Sequence, residues 1–142
     1  RDRQEGVAAS SGGYAGILAV TVLTSLGEVD LSAVGIATSP GRLVSKMSRV
    51  AQAAGCEGVI CSPQELAVVG SVAPGLLRVT PGVRPPGTDK GDQARVMTPA
   101  QAIERGADWL VIGRPITRAP DPEQAAAAIA GELEIPGRDP SH

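Results

Sequence analysis

Phenylalanine and asparagine are missing from this 142-residue chain, which has one tryptophan, Trp109, one tyrosine, Tyr14, and one histidine, the terminal His142. With aromatics at 1% of the residues, a core has to be built from Val, Leu, Ile and Ala, small aliphatics that suit closely packed β/α layers. A lone imidazole at the last position is a poor general acid or base. The two cysteines, Cys56 and Cys61, flank the run Gly58-Val59-Ile60 with no third thiol or imidazole beside them, so no metal site is expected. If that run is a strand, the five-residue separation carries the two Cα atoms well past the roughly 7 Å limit for a disulfide. The expectation is two buried, reduced thiols in a cytoplasmic protein.

Long apolar runs are also lacking. Residues 17–23, 109–112 and the alanine-rich 125–130 are all far short of the roughly 20 residues a membrane helix needs, so no membrane partner is expected. The opening Arg1-Asp2-Arg3-Gln4-Glu5 has no apolar signal region and reads as a chain entered partway through a helix. A net charge of -2 with no basic stripe and no interleaved aromatics argues against a nucleic-acid surface. Neither a Gly-x-Ser-x-Gly elbow, a P-loop, His-Glu-x-x-His nor Cys-x-x-Cys occurs, which leaves nucleophilic and metal chemistry without support.

What the chain does have is alternation. Apolar, β-branched runs at residues 17–23, 58–61, 76–80 and 108–112 read as strands, the first too continuously apolar for a half-exposed antiparallel strand and typical of a buried parallel one. Between them lie helical segments. Residues 28–34 form a short one; Ser39-Pro40 opens another, with Ser39 as N-cap, Leu43, Met47, Val50 and Ala54 on one face, and Gly55 as its stop. Ser62 with Glu65 has the spacing of a capping box, Thr98-Pro99 opens a helix that Gly106 ends, and Asp121-Pro122 begins the last, through about residue 135. Four successive β-then-α units with short connections imply right-handed crossovers and a parallel sheet, either doubly wound or part of a TIM barrel. Trp109, early in the fourth run, is expected to face the helical layer and pack in the core.

The candidate polar groups follow the carboxyl ends of these strands, where both α/β architectures place their sites. Thr24 and Ser25 follow the first run, Ser62 the second, Arg84 and Gln93 the third, Gly113 and Arg114 the fourth. No Gly-x-Gly-x-x-Gly turn follows the first strand, which weighs against a dinucleotide fold. Gly113-Arg114 suits a phosphate: a glycine amide approaches closely and a guanidinium clamps two oxygens. The segment 83–95 exceeds the roughly 2–6 residues of an ordinary barrel connection and has the character of a lid, with Gly87 and Gly91 as hinges and Asp89, Lys90 and Asp92 as solvated charges. The bland readings are an N-cap at Thr24-Ser25, a solvated loop at 83–95 and a tight turn at Gly113.

Leu23-Thr24-Ser25, Cys61-Ser62-Pro63-Gln64-Glu65, Thr80 to Arg84, Gly91-Asp92-Gln93, Met97-Thr98-Pro99 and Val111 to Ile116 together resemble, in order and spacing, the shorter bacterial orotidine 5'-phosphate decarboxylases. The resemblance runs from about residue 17 to 129. It implies four βα units forming the C-terminal half of a TIM (β/α)8 barrel, within an enzyme that works as a homodimer and decarboxylates orotidine 5'-monophosphate to UMP without metal or organic cofactor. It also implies that Thr24 sits against the pyrimidine, that Gln93 on the lid bridges base and phosphate, and that Arg84, Gly113 and Arg114 serve the phosphate.

The catalytic residues that the family carries on earlier strands, alternating Asp and Lys in the pattern Asp-x-Lys-x-x-Asp, are absent from this sequence. Its two lysines, Lys46 and Lys90, fall on a helix and in the lid. The expectation is therefore a fragment, with residues 1–16 the end of a helix and connector, 17–135 a half-barrel and 136–142 a tail. Such a chain would be inactive alone and would need the N-terminal half of the barrel as partner. Two alternatives stay open: another phosphosugar-binding TIM-barrel enzyme, or a non-catalytic nucleotide-binding or assembly half.

Overall fold

Helix boundaries in this protein follow its proline, glycine and threonine punctuation. In a computed structural model, residues 16–85 and 97–133 are described, and they form β1 (Leu18–Val20), α1 (Glu28–Ala33), α2 (Pro40–Ala54), β2 (Gly58–Ile60), α3 (Leu66–Val72), β3 (Leu77–Pro81), α4 (Pro99–Glu104), β4 (Trp109–Val111), α5 (Arg114–Thr117) and α6 (Pro122–Leu133). Pro40 occupies the first turn of α2, where its missing N–H costs nothing, and Gly55 closes the helix in the left-handed conformation with φ of 80°. The α4 start is a reciprocal capping box: Gln101 N–H donates to Thr98 Oγ1 at 3.2 Å, and Thr98 N–H donates to Gln101 Oε1 at 3.1 Å. Asp121 caps α6 by accepting from the Gln124 amide at 3.0 Å.

The four strands form one parallel sheet in the order β1-β2-β3-β4. A doubly wound sheet reverses direction at a switch point; this one does not, so it is built as consecutive βα units of a barrel. Register places Ala19, Val59 and Arg78 in one row, with Thr80 and Leu110 in another on the same face. That face meets the helices. Val59 and Thr80 are fully buried there, joined by Val44 of α2 and Leu66 and Val69 of α3. Each such aliphatic side chain contributes about 1.5–3 kcal/mol relative to an exposed one. The opposite face carries Leu18, Val20, Leu77, Trp109 and Val111, all exposed, while Val79, in register between Ile60 and Trp109, is shielded.

Several expectations need correction. Trp109 is 64% exposed and lies on the open face, because alternation from the helix-facing Leu110 turns it away from the helices. The first strand is likewise largely exposed rather than buried, since no second layer covers its open face among the described residues. The buried stripe of α2 is Val44, Ser48 and Ala51; Val50 and Ala54 face outward, and Ser39 makes no side-chain cap bond. At Ser62 half of the expected capping box forms: Ser62 N–H donates to Glu65 Oε2 at 3.0 Å, but Ser62 Oγ accepts from Gln64 N–H at 3.3 Å. Residues 62–65 close a turn through Glu65 N–H to Ser62 O at 3.0 Å, so α3 starts at Leu66. Finally, Gly113 leads into the short helix α5, which the apolar pattern did not announce.

Candidate functional site

A groove of about 930 Å³ opens at the carboxyl ends of the strands. It draws lining from the segment after every strand: Leu23 to Glu28 after β1, Ser62 to Glu65 after β2, Gly82 after β3 and Arg114 after β4, with Pro40 and Gly41 at the start of α2. Parallel strands all end on the same side of the sheet, so residues 90 positions apart in sequence are brought to one opening.

Two of the sequence-derived candidates therefore meet. Thr24 and Arg114 both line the groove and both are exposed, free to contact a bound molecule. Gly113, immediately before Arg114, is exposed; its carbonyl accepts from the Ile116 and Thr117 amides at 2.9 and 3.0 Å, fixing the turn that aims Arg114. Its φ of -102° is one that other residues adopt, and a Cβ placed there would meet no heavy atom within 4 Å. A tight turn requiring left-handed backbone does not account for this glycine.

Arg84 sits elsewhere. It is 9% exposed and does not line the groove; its backbone N–H donates to Met97 O at 3.0 Å, beside the parallel bridge between Val83 and Met97. That bridge fastens together the two ends of the long connection after β3, and Gly82, with φ of 79°, turns the chain out of the strand. Gln93 lies outside the described residues, as do Gly87, Asp89, Lys90, Gly91 and Asp92.

Sequence reasoning explained Ser62 as a cap and overlooked Glu65 and Glu28 as groove residues. The groove is thus lined by two carboxylates and one guanidinium. Burial raises the Glu65 pKa above its ordinary value, and hydrogen bonds from Ser62 pull it partly back. Behind this wall, burial and the charge of Glu65 push the Cys61 thiol up to about 11, so it stays protonated near neutrality. Cys56 and Cys61 are both free. The described residues contain no group of three or more His, Cys, Asp or Glu side chains able to hold a metal ion, and no helix long and apolar enough to cross a membrane.

Lys46 does not reach the groove. It lines a separate cavity of about 430 Å³ with Thr38, Gly41, Arg42, Ser45 and Val68. Among the described residues no lysine stands at a strand end.

The model of the orotidine 5'-phosphate decarboxylase / HUMPS family matches residues 4–129. An orotidine 5'-phosphate decarboxylase of Anaeromyxobacter sp. (strain K) is 56% identical over 118 residues, which cover 82% of this chain and 52% of the relative. One from Thermobifida fusca is 55% identical over 126 residues, covering 88% of this chain and 54% of the relative. The crystal structure of the Lactobacillus acidophilus enzyme superposes with a TM-score of 0.73 at 33% identity, over 89% of this chain and 53% of that one. That of the Pyrococcus horikoshii enzyme, at 24% identity and a TM-score of 0.61, shares the fold. The chain spans about half the length of the curated relatives it matches, and its sheet is half of a TIM barrel, four βα units in chain order. With the family model matching nearly its whole length, the chain belongs to the orotidine 5'-phosphate decarboxylase / HUMPS family.

Proposed function

We propose that this chain is the nucleotide-holding half of an orotidine 5'-monophosphate decarboxylase, the enzyme that forms UMP in pyrimidine synthesis. The observation that carries the reading is the shared groove of Thr24 and Arg114, residues from the first and last βα units that meet at the carboxyl ends of the strands. Thr24 presents a hydroxyl to the polar edge of the pyrimidine. Arg114 clamps the 5'-phosphate, and Gly113, where a Cβ would meet no heavy atom within 4 Å, leaves room for the phosphate oxygens to approach. Arg84 at the base of the lid and Gln93 within it complete the phosphate side as the lid closes.

A phosphate grip far from the reacting carbon lowers the barrier when its binding energy is spent on closing the lid and organising the site. The carboxylates that crowd the substrate carboxylate, and the ammonium that protonates the carbanion left by carbon dioxide, are not in this sequence. They belong to the N-terminal half of the barrel, in a cytoplasmic homodimer. No cofactor enters the scheme.

The test is UMP formation from orotidine 5'-monophosphate by the chain alone, and then with an N-terminal half bearing Asp-x-Lys-x-x-Asp, alongside calorimetric titration with UMP and with a pentulose phosphate. The expected result is no turnover alone, turnover on mixing and preference for UMP. Turnover by the isolated chain, or preference for the sugar phosphate, would overturn the assignment.

A further inference from the structure

The cavity beside Lys46 gathers positive charge that nothing in the described fold neutralises. Thr38, Gly41, Arg42, Ser45 and Lys46 follow the helical spacing of one face of α2 and its approach, and Val68 of α3 closes the far side. The helix α2 packs against β2 and against α3, and β2 has a strand on either side. Both walls of the cavity are thus described, and they lie on the outer layer, away from the free edges and the open face of the sheet.

Arg42 and Lys46 stand four residues apart, like charges that repel on one helix face. Arg42 is also the third residue of α2, where the positive end of the helix disfavours a cation. A third cation, Arg49, follows on the same helix, which has no acidic residue, and α3 carries no charge at all. This concentration occurs in a chain whose net charge is -2. Among the described residues neither Arg42 nor Lys46 has an ion-pair partner: the salt bridge there is Arg78 with Asp108. Glu65, which precedes α3, accepts from the Ser62 amide at 3.0 Å on the groove side. Thr38 and Ser45 add hydroxyls to the same opening. A bound anion would relieve the repulsion and give both cations a counter-charge.

We propose that this cavity binds a small phosphorylated anion of the diphosphate class. Side chains that start about 5–6 Å apart on one helix face can both reach a single diphosphate, one cation to each phosphoryl group, with the guanidinium gripping two oxygens at once. The volume of about 430 Å³ lies within the roughly 300–1,000 Å³ of small-molecule sites. Gly41 borders the groove as well, so an anion held here sits beside the groove without engaging Arg114. Nothing in this site depends on the nucleotide-binding reading.

The experiment is calorimetric titration of the 142-residue chain with inorganic pyrophosphate and with orthophosphate at constant ionic strength. The expected result is one pyrophosphate per chain, held more tightly than orthophosphate and weakened about tenfold by Arg42→Gln and by Lys46→Gln, the loss of one charge-assisted contact in each. Arg49→Gln removes the same charge outside the cavity, and Arg114→Ala removes the cation of the groove; each should change the affinity by about twofold at most. Arg42 and Lys46 are exposed, and far-UV circular dichroism checks that the variants fold. Should one of them fail to fold, the other decides, and the rise in thermal midpoint that pyrophosphate gives the unaltered chain provides a second reading. Absence of saturable pyrophosphate binding overturns the proposal. So does a loss on Arg114→Ala with Arg42→Gln and Lys46→Gln unaffected, which would put the anion in the groove. Equal weakening by Arg49→Gln overturns it too, since that would mean a general field in place of a site.

Discussion

The Asp108 carboxylate holds Arg78 twice, its Oδ2 accepting from the Arg78 backbone N–H at 2.9 Å and from Arg78 Nε at 3.3 Å. Asp108 N–H returns a bond to Arg78 O at 3.0 Å, so the entry to β4 is fastened to β3 at the end of the sheet opposite the groove. The Arg78 side chain also fills the space beside Gly70 and Gly106, where an added Cβ would approach its Nη1 to 2.8 Å. Asp108→Ala should cost about 2–3 kcal/mol, since it leaves a partly buried amide and guanidinium without their charged acceptor. Gly106→Ala should be destabilising as well, by about 1 kcal/mol or more, because φ there is 94° and the methyl group meets Arg78. Urea midpoints of the two variants check both.

Ser48 offers the opposite case. Its side chain is fully buried under α2, and its hydroxyl has no hydrogen-bond partner among the described residues. Ser48→Ala should raise stability by about 1 kcal/mol, through removal of an unsatisfied polar group and a better helix propensity. A thermal melt that rises supports this; a fall of similar size would show that the hydroxyl is satisfied in solution.

Glu65 should make stability depend on pH. Its folded pKa lies above the ordinary 4.5, so the folded protein binds this proton more tightly than the unfolded chain. The stabilisation is present in full below the unfolded value and is lost as pH rises through the folded pKa. Glu65→Gln keeps an oxygen for the Ser62 amide and removes the buried charge. Its urea midpoint should gain on the unaltered protein as pH climbs from about 4.5 towards neutrality. Parallel curves would show that Glu65 is solvated.

The two thiols should separate kinetically. Cys61 is fully buried with its pKa pushed up to about 11, whereas Cys56 is half-buried beyond the end of α2. Ellman's reagent near neutrality should label one thiol per chain quickly, Cys56, and reach Cys61 at the rate of unfolding. As pH rises from the ordinary 9.0 towards 11, the unfolded chain ionises Cys61 first and stability should fall. Cys61→Ala should remove that alkaline loss.

On the nucleotide-binding reading, Arg114→Ala should weaken UMP by about 2 kcal/mol, or about thirtyfold in Kd, the worth of a charge-assisted pair to phosphate. Uridine, which lacks the phosphate, should bind the two proteins alike. Equal loss for both ligands would place Arg114 in the fold rather than at the phosphate.

The sequence announced its helices best where local chemistry decides them: Pro40 and Gly55 at the ends of α2, and Thr98 with Gln101 at the start of α4. It was less readable where tertiary context decides. Apolar residues on the two faces of β1 and β4 look alike in sequence, so the exposure of Val20 and Trp109 depends on which face the helices cover. The polar Ser48 in the buried stripe of α2 hid that stripe from a hydrophobic pattern. At the groove, Thr24 and Arg114 were legible because they close apolar runs. Glu65 was not, since its spacing from Ser62 already had a local explanation, and only the turn at 62–65 brings it to the opening.

The strand order also bears on how the chain acquires its shape. Within the described sheet each strand pairs with the next one in sequence, so β2, β3 and β4 each find a docking edge on the strand made just before. Assembly can then proceed from the amino end, with β4 and α6 closing onto a preformed template. The groove, which needs Arg114 from the last unit, is completed only when that final step is made.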